Sequence, residues 1–265
     1  MPRVDNKGIS IHYRVEGNGP PLVLQHGFAD SSETWYERGY VAALKPKYRL
    51  VLIDARGHGQ SDKPHDPPSF TPEKFASDTV AVLDDLGIRT TAYWGYSMGG
   101  WIGFALARYA LGRVGCFVIG GASAGTASAF PTEPGKEDVL IAALRGGPDE
   151  VIKVWGEWAT PQVRERVVAY DTAALIACRR QRLITAGFPD VLGKISVPTL
   201  LYAGGADPIH DPARQTASEI ANARFMSLPG LDHLGAMCRS DLVLLHVEPF
   251  LAEVLLPPAQ STAAS

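Results

Sequence analysis

The sequence predicts an α/β protein, a mainly parallel central sheet flanked by helices, with a small all-helical segment inserted. Three observations carry this. Short apolar runs bounded by Gly or Pro recur along the chain and alternate with helical patterns. The middle runs, such as Leu50-Val51-Leu52-Ile53 and Thr199-Leu200-Leu201-Tyr202, are apolar at successive positions, as suits parallel strands covered on both faces. Past Gly120 the alternation breaks, and only helical patterns follow until Val197.

Taken in order, the expected strands are residues 9–15, 22–25, 50–54, 91–95, 115–119, 199–203 and 225–228. Between the third and fourth, Thr71-Pro72-Glu73 reads as an N-cap, a first-turn proline and an acidic first turn. Phe75, Ala76, Thr79, Val80, Leu83 and Leu86 then keep helical spacing until Gly87 stops the helix. The small and apolar residues 98–107 form a buried helix after the fourth strand. Asp211-Pro212 opens another helix, with Asp211 as its cap, and Ser240-Asp241 opens the last. Pro257-Pro258 ends that helix and leaves residues 258–265 as a frayed tail. Strand, helix, strand in this order implies right-handed crossovers.

In the irregular middle, residues 137–145, 148–158, 160–170 and 171–185 are expected to be helical, with Asp149, Thr160 and Asp171 as ordinary helix starts. The chain therefore divides into a core of residues 1–124 and 196–265 and a helical lid of residues 125–195. An insertion of that length in an α/β core tends to serve function.

Length and composition narrow the function classes. A chain of 265 residues is long enough for one α/β domain with a deep core, and 46% apolar against 20% charged residues excludes disorder and coiled coil. Twenty-five basic residues face 28 acidic ones with no block of like charge, so nothing favours nucleic acid or an anionic membrane surface. No apolar run follows the N-terminal Arg3, and no stretch reaches 18 apolar residues, so a soluble protein is expected. Cys116, Cys178 and Cys238 are odd in number and far apart, implying neither disulfides nor a metal site and fitting a reducing cytoplasm. Oligomeric state is left open.

Gly95-Tyr96-Ser97-Met98-Gly99 matches G-x-S-x-G, in which a sharp strand-to-helix turn pushes a serine hydroxyl out over the sheet. The bare pattern also arises by chance, and Gly121-Ala122-Ser123-Ala124-Gly125 repeats it. Context separates the two. Ser97 follows a strand and enters the helix of residues 98–107, whereas Ser123 soon meets Pro131 and Pro134 and has no helix to enter. Ser123 fits better as the polar exit from the core into the lid.

With Leu24-Gln25-His26-Gly27-Phe28, Asp54-Ala55-Arg56-Gly57-His58-Gly59-Gln60-Ser61-Asp62 and Pro229-Gly230-Leu231-Asp232-His233 at their positions around the Ser97 motif, the chain resembles the α/β-hydrolase superfamily over nearly its whole length except the lid. The resemblance is to its lid-bearing, serine esterase-like members. Members with an aspartate nucleophile, such as dehalogenases and epoxide hydrolases, are disfavoured by Ser97.

A serine needs a base, and the base a carboxylate to hold its tautomer. Of seven histidines, His12 and His246 lie in regular elements, His65 in a Pro-rich surface stretch and His58 in a Gly-rich turn; His26 sits where the family braces backbone with an imidazole. His233, in a loop after the last strand, comes to the carboxyl edge of the sheet where Ser97 projects, with His210 its main rival. Asp207 follows the strand of residues 199–203 to the same edge, and the order Ser97, Asp207, His233 is the superfamily order. Asp232 is adjacent to His233 and points elsewhere. Asp54 and Arg56 fit an ion pair or turn brace.

The resemblance further implies an oxyanion hole from the backbone N–H groups of Phe28 and Met98. Phe28, Trp35, Tyr96, Phe130, Trp155, Trp158 and Leu234 are candidates for an acyl pocket under the lid, although Trp155 and Trp158, three apart on one helix, equally suit packing of lid on core. The expectation is a serine hydrolase acting on a small, largely apolar carboxylic ester through an acyl-enzyme, with a small-molecule substrate and no metal or organic cofactor. A lactonase, carbon–carbon bond hydrolase or cofactor-free perhydrolase would use the same residues, and a slow ligand receptor on the same scaffold is the rival from another class.

Overall fold

The computed structural model describes residues 2–126 and 128–256. The helix-ending Pro257-Pro258 and the tail expected at residues 258–265 lie outside the described residues. Eight strands form one sheet: β1 (Arg3–Asn6), β2 (Ile9–Glu16), β3 (Pro21–Gln25), β4 (Arg49–Ile53), β5 (Thr91–Tyr96), β6 (Val114–Gly120), β7 (Thr199–Gly204) and β8 (Ala223–Leu228). Their order across the sheet is β1-β2-β4-β3-β5-β6-β7-β8. β1 and β2 run antiparallel to their neighbours, and from β4 through β8 every pair is parallel.

The helices are α1 (Glu33–Glu37), α2 (Tyr40–Leu44), α3 (Pro72–Asp85), α4 (Met98–Tyr109), α5 (Val139–Gly146), α6 (Pro148–Trp155), α7 (Pro161–Val168), α8 (Thr172–Ile184), α9 (His210–Ser218), α10 (His233–Cys238) and α11 (Ser240–Leu255). α5 to α8 are consecutive between β6 and β7, where the sequence predicts four helices. β1, α1, α2 and α10 were not expected. Each is four to six residues long and too short to show a period of its own.

Alternation along the strands sorts the core into two layers. Val23, Val51, Ile53 and Tyr93 face α3 and α4, while Leu22, Leu24, Leu50, Leu52 and Trp94 face α2 and α11. Both faces are thereby covered, which is why these runs are apolar throughout. Among the described residues, no helix is long and apolar enough to cross a membrane.

Of four expected caps, two hold and two do not. Thr160 and Asp171 do cap their helices, through Val163 N–H and Ala174 N–H. Asp149 instead lies in the first turn of α6, behind Gly147 and Pro148. Asp211 sits inside the first turn of α9, paired with His210 and Arg214, because the helix begins two residues earlier than Pro212 suggests.

Candidate active site

Ser97 stands between β5 and α4 with φ 54° and ψ −112°, a backbone conformation that L-residues avoid. The turn closes only because Gly95 and Gly99, two residues to either side, lack side chains. A Cβ on Gly99 would stand 2.1 Å from the Gln25 carbonyl oxygen at the end of β3. The Ser97 N–H donates to the Gly120 carbonyl at 2.8 Å, tying the turn to the end of β6.

Two further strand ends deliver the partners. His233 is the first residue of α10 rather than a loop residue, since Asp232 accepts from the Gly235 N–H and starts a helix there. Its Nε2 lies 2.9 Å from Ser97 Oγ, and its Nδ1 lies 2.7 Å from Asp207 Oδ2. The other Asp207 oxygen accepts from the Ile209 N–H at 2.9 Å, so the carboxylate has one oxygen free for the ring. His233 is 6% and Asp207 4% exposed. With Nδ1–H donated to the carboxylate, Nε2 is left as an acceptor facing the hydroxyl. The rival His210 bonds Ser227 and Asp211 instead. Ser123 does not form a second elbow: no helix follows it, and its hydroxyl has no partner among the described residues.

Gly27 lies against Ser97, where a Cβ on it would meet the serine Cβ at 3.4 Å. The next residue, Phe28, and Met98 both border the same cavity, and neither amide has an acceptor among the described residues. The cavity measures about 190 Å³. Ser97 and His233 line it, and α5, α6 and α8 contribute Leu144, Trp155 and Cys178 to its wall.

Of the expected pocket residues, Phe28, Tyr96, Phe130, Trp155 and Leu234 line this cavity. Trp35 does not. It is fully buried in the layer between the sheet and α2 and α11, edge-on to Tyr40 and Trp94. Trp158 does not either: it covers Gly235 and its carbonyl accepts from Arg38, so it packs the helical segment on to the core. Missed altogether were Trp101, Arg179 and Arg182, which do line the cavity.

The sequence pattern of the alpha/beta hydrolase fold matches residues 20–144. A 3-oxoadipate enol-lactonase of Acinetobacter baylyi is 30% identical over 216 residues, 77% of each chain. The chain belongs to the α/β-hydrolase family. It is a hydrolase-family enzyme related also to a non-heme haloperoxidase of Rhodococcus erythropolis, 28% identical over 90% of this chain and 94% of that one. The crystal structure of an esterase from Rhodococcus sp. ECU1013 superposes with a TM-score of 0.77 at 27% identity, covering 95% of this chain and 98% of the other.

The conspicuous Asp54-to-Asp62 stretch of this α/β-hydrolase holds the sheet edge together. Asp54 and Arg56 do not pair with each other. Asp54 accepts from His12 Nδ1 at 2.9 Å and from the Ser32 and Gln60 amides at 2.8 Å each. Burial alone would raise its pKa, yet these donors and nearby His26 hold it below the ordinary carboxylate range. Arg56 makes a buried two-pronged pair with Asp78, both contacts at 2.6 Å. His26 accepts from the Ala55 N–H at 3.0 Å and donates from Nδ1 to the Gly27 carbonyl at 2.7 Å, bracing the loop that carries Phe28. All three cysteines are free, and burial pushes each thiol up to about 12.

Proposed function

We propose that the protein hydrolyses a small carboxylic ester, seated largely against apolar side chains, through an acyl-enzyme on Ser97. The observation that carries the proposal is the relay from Ser97 Oγ through His233 to Asp207, opening into a small-molecule cavity. Ser97 Oγ attacks the carbonyl carbon while His233 Nε2 takes its proton. Asp207 steadies the imidazolium, and the amides of Phe28 and Met98 donate to the oxyanion. The alcohol leaves with the proton from Nε2. Water, deprotonated by the same nitrogen, then releases the carboxylic acid and restores the serine.

Residues 125–195 serve in this reading as the lid that roofs the cavity and keeps bulk water from the acyl-enzyme. A lactone is the second substrate type supported, because a relative covering 77% of the chain is an enol-lactonase. Ring opening needs the same groups, the leaving alkoxide staying tethered to the acyl chain.

A fluorophosphonate probe tests the nucleophile, with the labelled peptide identified by mass spectrometry; one label per chain, on Ser97, is expected. On a panel of p-nitrophenyl esters, lactones and vinylogous diketones, Ser97→Ala should lose roughly 10⁴-fold or more of kcat on whichever class is turned over. Labelling elsewhere, or Ser97→Ala turnover equal to wild type, sinks the proposal.

A further inference from the structure

A guanidinium taken out of water is costly unless a counter-charge answers it. The wall of the Ser97 cavity carries two, Arg179 and Arg182, three residues apart on α8. Arg179 is answered, its Nε and Nη2 lying 3.0 and 2.8 Å from the two oxygens of Asp138. The acid on the wall, Asp30, is itself engaged by Arg166.

Arg182 is different. Its guanidinium lies 5.1 Å from the centroid of the Trp101 ring and makes no ion pair or hydrogen bond among the described residues. Burial, with Arg179 beside it, lowers its pKa to about 10, so it stays charged at neutral pH while lacking an anion. Two more donors in the same wall have no acceptor among the described residues, the Ser123 hydroxyl and the Trp101 indole N–H, on side chains 4% and 3% exposed. Two buried donors without acceptors and a half-buried guanidinium without a counter-charge, in a cavity otherwise lined mostly by apolar groups, are complementary to a carboxylate.

We propose that Arg182, with Ser123 and Trp101, forms an anion subsite that receives a carboxylate of the substrate separate from the ester that reacts at Ser97. The proposal rests on the reading of this cavity as an ester-hydrolysing site and narrows its substrates to half-esters or lactones that carry a free acid group. A planar guanidinium suits that role because it holds a carboxylate by two parallel hydrogen bonds and remains charged over the working pH range.

The test compares kcat/KM for mono-p-nitrophenyl adipate and for its neutral methyl ester, after subtraction of spontaneous hydrolysis, at fixed pH and ionic strength. Wild type should prefer the anionic substrate by at least tenfold. That ratio should fall to about one in Arg182→Met and be partly kept in Arg182→Lys, which retains charge but not the two-pronged geometry. A wild-type ratio of one, or a ratio unchanged in Arg182→Met, overturns the proposal.

Calorimetric binding of adipate to Ser97→Ala separates the two readings. Adipate that binds, and binds at least tenfold more weakly when Arg182→Met is added, upholds the subsite even where neither ester is turned over and the ester reading has failed. Both esters turned over equally with no adipate binding removes the subsite and leaves the ester reading standing.

Discussion

Tyr96 donates its hydroxyl to the main-chain carbonyl of His233 at 2.5 Å, so the residue before the serine holds the backbone that carries the imidazole. The Tyr96 ring also lies 5.4 Å from the His233 ring, centroid to centroid. Two chain segments 137 residues apart are thereby locked in register at the point where Ser97 meets His233.

Tyr96→Phe keeps the ring and removes only this strut. The His233 carbonyl keeps the helical N–H of α10 and loses the hydroxyl, at a cost of about 1 kcal/mol in unfolding free energy. On the proposed mechanism kcat should fall by roughly three- to tenfold, since a small rotation of the ring lengthens the path to Ser97 Oγ. Urea unfolding and ester kinetics on one preparation check this; full activity together with full stability would show that the hydroxyl does not position the histidine.

The strain at Ser97 makes a separate prediction. A non-glycine residue at φ 54°, ψ −112° costs about 1–3 kcal/mol, and glycine adopts that conformation freely. Ser97→Gly should therefore be more stable than Ser97→Ala by about 1 kcal/mol, even though glycine adds entropy to the unfolded chain, and both should be inert to the fluorophosphonate probe. Thermal or urea unfolding of the pair decides it. An alanine variant at least as stable as the glycine variant would mean that the turn stores no strain.

Close approach at Gly99 is backbone against backbone. A methyl there would stand 2.1 Å from Gln25 O, 2.8 Å from its carbonyl carbon and 2.9 Å from His26 O. None of these atoms can rotate away as a side-chain end would. Gly99→Ala should cost about 3 kcal/mol or more and separate β3 from α4, with probe labelling lost in proportion to the displacement of Phe28. Denaturation midpoints and labelling rates measure both effects, and a variant within about 0.5 kcal/mol of wild type would contradict the packing described.

What the sequence made legible was chemistry attached to local pattern. Ser97 could be placed because G-x-S-x-G sat between a strand pattern and a helix pattern, and Asp207 and His233 because each followed a strand that had to end at the same edge. What stayed hidden depends on neighbours far along the chain. Trp35 looks like any other aromatic near a loop until packing buries it against Tyr40 and Trp94, outside the cavity wall. Arg182 reads as one of three arginines on a solvated helix, and only the packing of α8 against Trp101, 81 residues earlier, turns it inward. Helix starts failed by a residue or two where Pro212 and Pro148 marked first turns correctly while the acid beside them was not the cap.

His58 supplies the pH dependence. Its Nδ1 donates to the Arg56 carbonyl at 2.9 Å, and its Nε2 is buried with no partner among the described residues. Burial, with the His26 ring 5.4 Å away, pushes its pKa down to about 3. The unfolded chain binds a proton here below about pH 6.5, and the folded protein does not until near pH 3. The stability that comes from keeping this ring neutral is therefore fully present above pH 6.5 and is lost progressively as the pH falls from 6.5 towards 3. Between pH 6.5 and 5 the loss amounts to about 2 kcal/mol. His58→Asn retains a donor for the Arg56 carbonyl and has nothing to titrate, so its unfolding free energy should fall by about 2 kcal/mol less than that of wild type over the same interval. Urea titrations of both proteins at pH 6.5 and 5.0 measure the difference, and parallel losses would place the acid sensitivity on other groups.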